Sequence, residues 1–307
     1  MTPKTIAFSN QKGGVGKTTL TRLVGLHLAS TPRHARCAAP PFDKAQDKLS
    51  TGASTGRKTL LIDTDPQGNL TKSLIDDEEP GLYEALTGSD YDIPEIIPNL
   101  FLLAGSIRLA ALEKSLIGEM DAYIRLKELL ADDLFHEFDY ILIDSPPSLG
   151  VLTVNALTAS HYVIAPMNPA IYSLQGTNDL LATIAKVKKN LNPDLNFLGV
   201  IINAFDAHPV ITRQIREEIV SSFGELVFRA SLSRSVKVEE ALAARRGLIA
   251  GESKVGDEIK RIGDELIERV EGMSSRGSVS DRGDLLSEVP DCFAPNGARN
   301  DREKEEV

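Results

Sequence analysis

Between an apolar run, KTIAFS (4–9), and a segment whose Leu20, Leu23, Val24 and Leu28 recur at helical spacing, the chain places NQKGGVGKTTL (10–20). A strand, a glycine-rich turn and a helix in that order leave little structural freedom. Gly13, Gly14, Val15 and Gly16 form a backbone cradle, because the glycines let N–H groups turn inward around one point without side-chain clash. The helix then begins at Lys17, with its unpaired N–H groups and the positive end of its dipole aimed at the same point. A cradle of this kind binds phosphate. Lys17 is placed to reach the β- and γ-phosphates of a nucleotide, the Thr18 hydroxyl to ligate Mg²⁺, and Thr19 to bond near the α-phosphate. The pattern G-x-x-x-x-G-K-[ST] is met from Gly16 onward, but Gln11 stands where its first glycine belongs, and Lys12 adds a second lysine.

The rest of the chain sets that loop in a repeating frame. KTLLIDTD (58–65), NLFLLAG (99–105), FDYILIDSPPS (138–148), HYVIAPM (161–167), NFLGVIINAF (196–205) and ELVFRA (225–230) read as strands. Helical patterns fall at 106–117, 120–133, 173–190, 210–223, 235–245 and 254–271, the last with Val255, Ile259, Ile262, Leu266, Ile267 and Val270 on one face. This alternation specifies an α/β domain, a mainly parallel twisted sheet with helices on both faces. Ligands of such sheets bind beyond the carboxyl ends of the strands. The glycine loop, Asp63, Asp65 and Asp144 all fall at such ends. Asp144 closes YILID and is placed to hold Mg²⁺. Asp63 and Asp65 lie two residues apart and so share one side of their strand. One can brace the metal shell while Asp65, farther out, orients an attacking water; either alone can equally cap a loop. Asn203, closing GVIIN, is placed to hydrogen-bond adenine or to cap a loop.

The 307 residues, 42% hydrophobic and 25% charged, suit one large domain or two small ones. Residues 31–57 are rich in Pro, Gly, Ser, Thr and Ala and keep no hydrophobic period, so they read as a disordered insertion within a domain spanning 1–271; 272–307 reads as a disordered polar tail. No apolar run is long enough to span a bilayer, and the N-terminus lacks a signal-peptide core, which together predict a cytoplasmic protein. Cys37 and Cys292 have neither disulfide nor metal spacing, and the five histidines are scattered. A net charge of −10 argues against a surface coated for nucleic acid but allows a local basic face.

KGGVGKTT, LLIDTDPQGNLT and YILIDSPPSLGVLTVNAL together resemble the deviant Walker A, Walker A′ and Walker B motifs of the ParA partitioning ATPases of the Soj type. The resemblance covers most of 4–271. IYSLQGTNDLL (171–181) is similar to the family's Y-x-L-E-G segment, with Gln175 where Glu is usual. FRASLSRSVKVEEA (228–241) resembles I-P-R-N-V-R-L-x-E-A, with Ser233 in place of Pro and Lys237 in place of Arg. The resemblance implies a P-loop ATPase using ATP and Mg²⁺, with Lys12, Lys17 and Asp65 in catalysis. Lys12 matches the family's signature lysine, which reaches across a two-fold interface to phosphates held by the other subunit; read alone, it is a solvated loop lysine. ATP then joins two copies as a homodimer, and hydrolysis separates them. A ParB-type partner, binding to nonspecific DNA, association with the nucleoid and movement of chromosome or plasmid DNA are implied as well.

Basic residues gather late. Arg213 and Arg216 lie three apart on one helix face, followed by Arg229, Arg234, Lys237, Arg245 and Arg246. The resemblance places a DNA surface in this half, with Arg213, Arg216 and Arg245 as its candidates; Glu217, Glu218, Glu239 and Glu240 dilute it. Three rivals share the motifs. A MinD-like membrane-associated ATPase would need an amphipathic anchor, where this sequence ends NDREKEEV. An iron–sulfur reductase would need cysteines flanking the nucleotide. An amide-forming ligase would share the fold, but Lys12 and P-P-S-L-G favour the partitioning reading.

Overall fold

TLLID, YILID and YVIAPM bury every side chain and so need cover on both faces. The computed structural model describes residues 2–32, 56–76, 80–170, 173–204, 210–245, 247–248 and 250–274. Its strands are β1 (Lys4–Phe8), β2 (Thr59–Asp63), β3 (Glu95–Ile97), β4 (Leu100–Leu103), β5 (Tyr140–Asp144), β6 (Tyr162–Met167) and β7 (Asn196–Ile202). They form one seven-stranded sheet in the order β3-β4-β2-β5-β1-β6-β7. Neighbours run parallel except at β3, a three-residue antiparallel edge flanked by Pro94 and Pro98.

The helices are α1 (Lys17–Ser30), α2 (Asn69–Lys72), α3 (Leu82–Thr87), α4 (Arg108–Ser115), α5 (Arg125–Leu129), α6 (Val151–Thr158), α7 (Ser173–Asn190), α8 (Val210–Phe223), α9 (Val236–Ala243) and α10 (Lys254–Ser274). Each central strand sends alternate residues to opposite faces. On one face Ile6, Phe8, Leu61 and Leu142 pack with Leu20, Leu23 and Leu28 of α1 and with the predicted stripe of α10, Val255 to Val270. On the other, Ala7, Leu60, Ile62 and Ile141 pack with Leu109 of α4, Leu152 of α6 and Leu180 and Ile184 of α7. Gly25 lets α1 lie against the sheet, since a Cβ there would meet Leu61 Cδ2 at 2.6 Å.

Some elements differ from their sequence expectation. ELVFRA does not add a strand. Residues Gly224–Leu226 make a 3₁₀ turn, and pairing is limited to one parallel bridge, Val200 to Val227. The reason lies on α10: the Arg269 guanidinium donates to the carbonyls of Glu225, Leu226, Val227 and Leu198, taking up oxygens that a ladder would use. The pattern over 120–133 yields turns and the short α5 only. β3 and α6 were not anticipated; α6 is buried on nearly every side and so shows no amphipathic period. Among the described residues no helix is long and apolar enough to cross a membrane.

Residues 33–55 of the expected insertion, 275–307 of the expected tail, and both cysteines lie outside the described residues. The insertion's ends are ordered and close together: Pro32 bridges Gly56 antiparallel, and buried Arg57 donates to Thr31 O at 3.3 Å. Replacing 33–55 by a short Gly-Ser linker should therefore keep the melting temperature within about 3 °C, because loop length contributes weakly to closure entropy. A fall of more than about 10 °C in a thermal melt would assign those residues a part in the fold.

Candidate functional site

The parallel register brings the expected groups to one edge. Phe8, Asp144 and Asp63 are aligned across β1, β5 and β2, so the glycine loop leaves the sheet directly beside both aspartates. Gly14 and Gly16 adopt φ of 72° and 90°, a left-handed backbone that side chains with a Cβ resist. A Cβ on Gly16 would also meet Asn203 Nδ2 at 1.9 Å.

Three asparagines from three strand ends tether this loop. Asn10 donates to Pro166 O at 2.7 Å and accepts from Lys12 N–H at 3.0 Å. Asn168, just past β6, donates to Gly14 O at 2.9 Å. Asn203, just past β7, donates to Val15 O at 2.8 Å. Of the two roles open to Asn203, the amide nitrogen is thus taken by the loop. Asn10 and Asn168 escaped the sequence reading because their partners lie more than 150 residues away; a polar residue directly after a buried strand is the signal that could have found them.

Lys17 is buried at the start of α1, with its ammonium donating to Lys12 O at 3.3 Å. Burial lowers its pKa, against the opposing pull of Asp144 and then Asp65. Thr18 donates its hydroxyl to Asp144 Oδ2 at 2.6 Å. Asp144 is fully buried, and its Oδ1 has no hydrogen-bond partner among the described residues. Burial, then the negative charge of Asp63, raises its pKa well above the carboxylate range. An ionised Asp144 therefore calls for a cation beyond what Lys17 provides.

Asp63 and Asp65 divide their work differently from either carboxylate alone. Asp63 accepts the Asp65 N–H on Oδ1 at 3.1 Å, and the Thr71 N–H and hydroxyl on Oδ2 at 2.9 and 2.8 Å. Both of its oxygens are thus engaged in shaping the loop after β2. Its pKa is pushed up to about 6, chiefly by burial and against those hydrogen bonds. Asp65 sits farther out, accepting the Gln67 N–H at 2.9 Å. Lys12 is half-buried, and its ammonium makes no hydrogen bond or ion pair among the described residues.

Beside the loop opens a cavity of about 590 Å³, in the size range of small-molecule sites. Gly14, Gly16, Thr19, Asn203, Arg234 and Glu239 are among its lining residues. Ser233, in the wall, uses its own N–H and hydroxyl on Glu258 at 2.8 and 2.6 Å, the first a bond that proline could not make. Arg213 is exposed and Arg216 half-buried on α8, while Arg245, past α9 with φ 50°, is ion-paired with Asp76.

The described residues hold no group of three or more His, Cys, Asp or Glu side chains able to enclose a metal. A site of one hydroxyl and one carboxylate suits Mg²⁺, which keeps several waters and leans on phosphate oxygens.

An AAA domain family model matches residues 48–197. The chain is 37% identical over 246 residues to the sporulation initiation inhibitor protein Soj of Bacillus subtilis, covering 78% of this chain and 87% of that protein. It is 35% identical over 285 residues to the chromosome partitioning protein ParA of Myxococcus xanthus, covering 90% and 92%. Among solved structures, cobyrinic acid a,c-diamide synthase of Mycobacterium smegmatis with bound ADP and magnesium is similar at TM-score 0.70 and 30% identity, over 88% of this chain and 96% of that one. The McdA(D38A)–ATP complex of Cyanothece shares the fold at TM-score 0.71 and 21% identity. At these identities and coverages, with its loop and carboxylates at the ends of β1, β2 and β5, the chain belongs to the Soj/ParA family of chromosome-partitioning ATPases.

Proposed function

We propose that this protein is an ATP-driven switch: it binds ATP with Mg²⁺ in the glycine loop, pairs with a second copy across that nucleotide, and in the paired state binds duplex DNA without sequence preference. The observation that carries the reading is the Thr18–Asp144 bond of 2.6 Å beside a buried Lys17 and an unpartnered Asp144 oxygen. A hydroxyl, a carboxylate and an ammonium set side by side at a phosphate-binding loop form the donor set that suits ATP with Mg²⁺.

Thr18 and Asp144 would hold the ion, and ATP–Mg²⁺ would supply the phosphoanhydride with its charge partly neutralised. The cradle from Gly13 to Gly16 and the start of α1 hold phosphate through N–H groups, and Lys17 adds a full charge from a water-poor position. Asp63 keeps Asp65 and Thr71 in place. Asp65 orients the attacking water and receives its proton. Lys12 projects its charge to the second copy, so that phosphoryl transfer is assisted only within the pair. A ParB-type protein would accelerate this step, release the DNA, and so move or position chromosome or plasmid DNA on the nucleoid.

Sedimentation with ATP, ADP or no nucleotide, each with and without a nonspecific duplex, tests the switch. A dimer that carries DNA with ATP alone supports it; a monomer at saturating ATP and Mg²⁺ sinks it. Lys12→Ala should keep ATP binding within about threefold yet slow turnover by about 10²-fold, the order of one removed transition-state donor. Unchanged turnover in a phosphate-release assay would return Lys12 to the status of a surface lysine. A second reading, an amide-forming synthase, draws on the identity to the Mycobacterium smegmatis enzyme. Turnover of ATP with no carboxylic-acid substrate present separates the two, because such a synthase requires the acid as its acceptor.

A further inference from the structure

α1 presents Leu20, Leu23 and Val24 to the core, and Arg22, on another face of the same helix, is fully buried as well. Among the described residues its three guanidinium nitrogens find no hydrogen-bond partner. Burial lowers its pKa, and the positive charge of Arg245 lowers it further; no carboxylate offsets either. Arg245 approaches from the end of α9 and is held there by one ion pair, to Asp76. Asp76 is largely exposed and Arg245 about a third so, a setting in which solvent weakens an ion pair and a competing anion can displace it. Of these two neighbouring arginines only Arg245 has a carboxylate partner among the described residues, and that carboxylate is exposed. Arg245, held by an exposed carboxylate, has the charge and access to receive a phosphodiester, and the buried charge of Arg22 adds to the positive field there.

We infer that Asp76 occupies, in the DNA-free protein, the place of a backbone phosphate of duplex DNA at Arg245, and that Arg22 strengthens that phosphate site from below. This rests on the DNA-binding reading given above and specifies one of its contacts. It also gives the contact a route to the nucleotide. Asp76 follows α2, whose Thr71 anchors Asp63, and Arg22 lies on α1 five residues after Lys17. Exchange of Asp76 for phosphate therefore removes one polar tie between the segment after α2 and the C-terminal half when DNA is bound, while Leu74 and Ile75 stay in the shared apolar cluster.

The test is fluorescence anisotropy of a labelled nonspecific duplex against full-length protein with a non-hydrolysable ATP analogue, across a salt series. Asp76→Asn removes the competitor and should tighten duplex binding about fivefold. Arg22→Met keeps the volume and drops the charge; it should weaken binding about threefold or more while raising the melting temperature, since an unpartnered buried charge is lost. Arg245→Ala should weaken binding and reduce the salt slope by about one. If wild type binds duplex and Arg213→Ala weakens it, but Asp76→Asn and Arg22→Met leave it unchanged, the competitor inference is overturned and the DNA reading stands. If neither wild type nor Asp76→Asn binds duplex in the presence of the analogue, both fall. Should Arg22→Met fail to fold, the Asp76→Asn result decides alone.

Discussion

Lys17→Ala should lose ATP binding by about two to three orders of magnitude in Kd while the protein stays folded. The ammonium is buried, and among the described residues its one hydrogen bond is to Lys12 O. Breaking a buried charged contact costs about 3–5 kcal/mol, which sets that range. The second half of the expectation follows from the same burial. In the nucleotide-free protein desolvation opposes the charge, as the lowered pKa shows, so removing it should leave thermal stability level or higher. Calorimetric titration and a melt on the same sample check both. Retained affinity would dismiss the loop as the phosphate site, whereas lost affinity with a collapsed melt would leave only misfolding as its cause.

Asp65→Ala should trap the ATP-bound pair, with turnover reduced by about 10²–10⁴, the usual contribution of a positioned acid–base group. Its structural cost should be small. The carboxylate accepts one backbone hydrogen bond, from Gln67, worth about 1 kcal/mol, while the loop after β2 stays fixed through Asp63 and Thr71. Size-exclusion chromatography with ATP would show the dimer persisting as single-turnover hydrolysis stalls. Wild-type rates would remove Asp65 from the chemistry and hand water activation to another group. Asp63→Ala should behave differently, loosening both Asp65 and Thr71 at once, because it holds two loop segments rather than a reactant.

The loop and its acids are legible in sequence because their chemistry is local. GKTT needs only a strand before it and a helix after it, and YILID announces a buried strand with an acid at its end. Asp63 shows the limit. Its spacing from Asp65 is visible, but its true partner, Thr71, lies on the next helix, and only folding shows both carboxylate oxygens taken. The tethering by Asn10, Asn168 and Asn203 is likewise a product of sheet order, since β1, β6 and β7 meet only after long crossovers. ELVFRA misleads for a related reason. Its composition suits a strand, yet Arg269, some forty residues on, claims its carbonyls. Arg22 passes unnoticed in the sequence, because it lies off the apolar stripe of α1 and its burial and lack of a partner become visible only with its neighbours in place.

The two outer rims of the sheet also bear on how copies can associate. At one, β3 is three residues long, bounded by prolines that lack N–H donors, and carries an exposed Glu95. At the other, the backbone beyond β7 is engaged by Val227, Phe228 and Leu232 and sealed by Arg269. Neither rim offers a continuous row of donors and acceptors to a second molecule, so growth by strand addition into filaments is suppressed. Were many copies to gather on one DNA molecule, as proposed above, edge-to-edge strand pairing between them would be disfavoured.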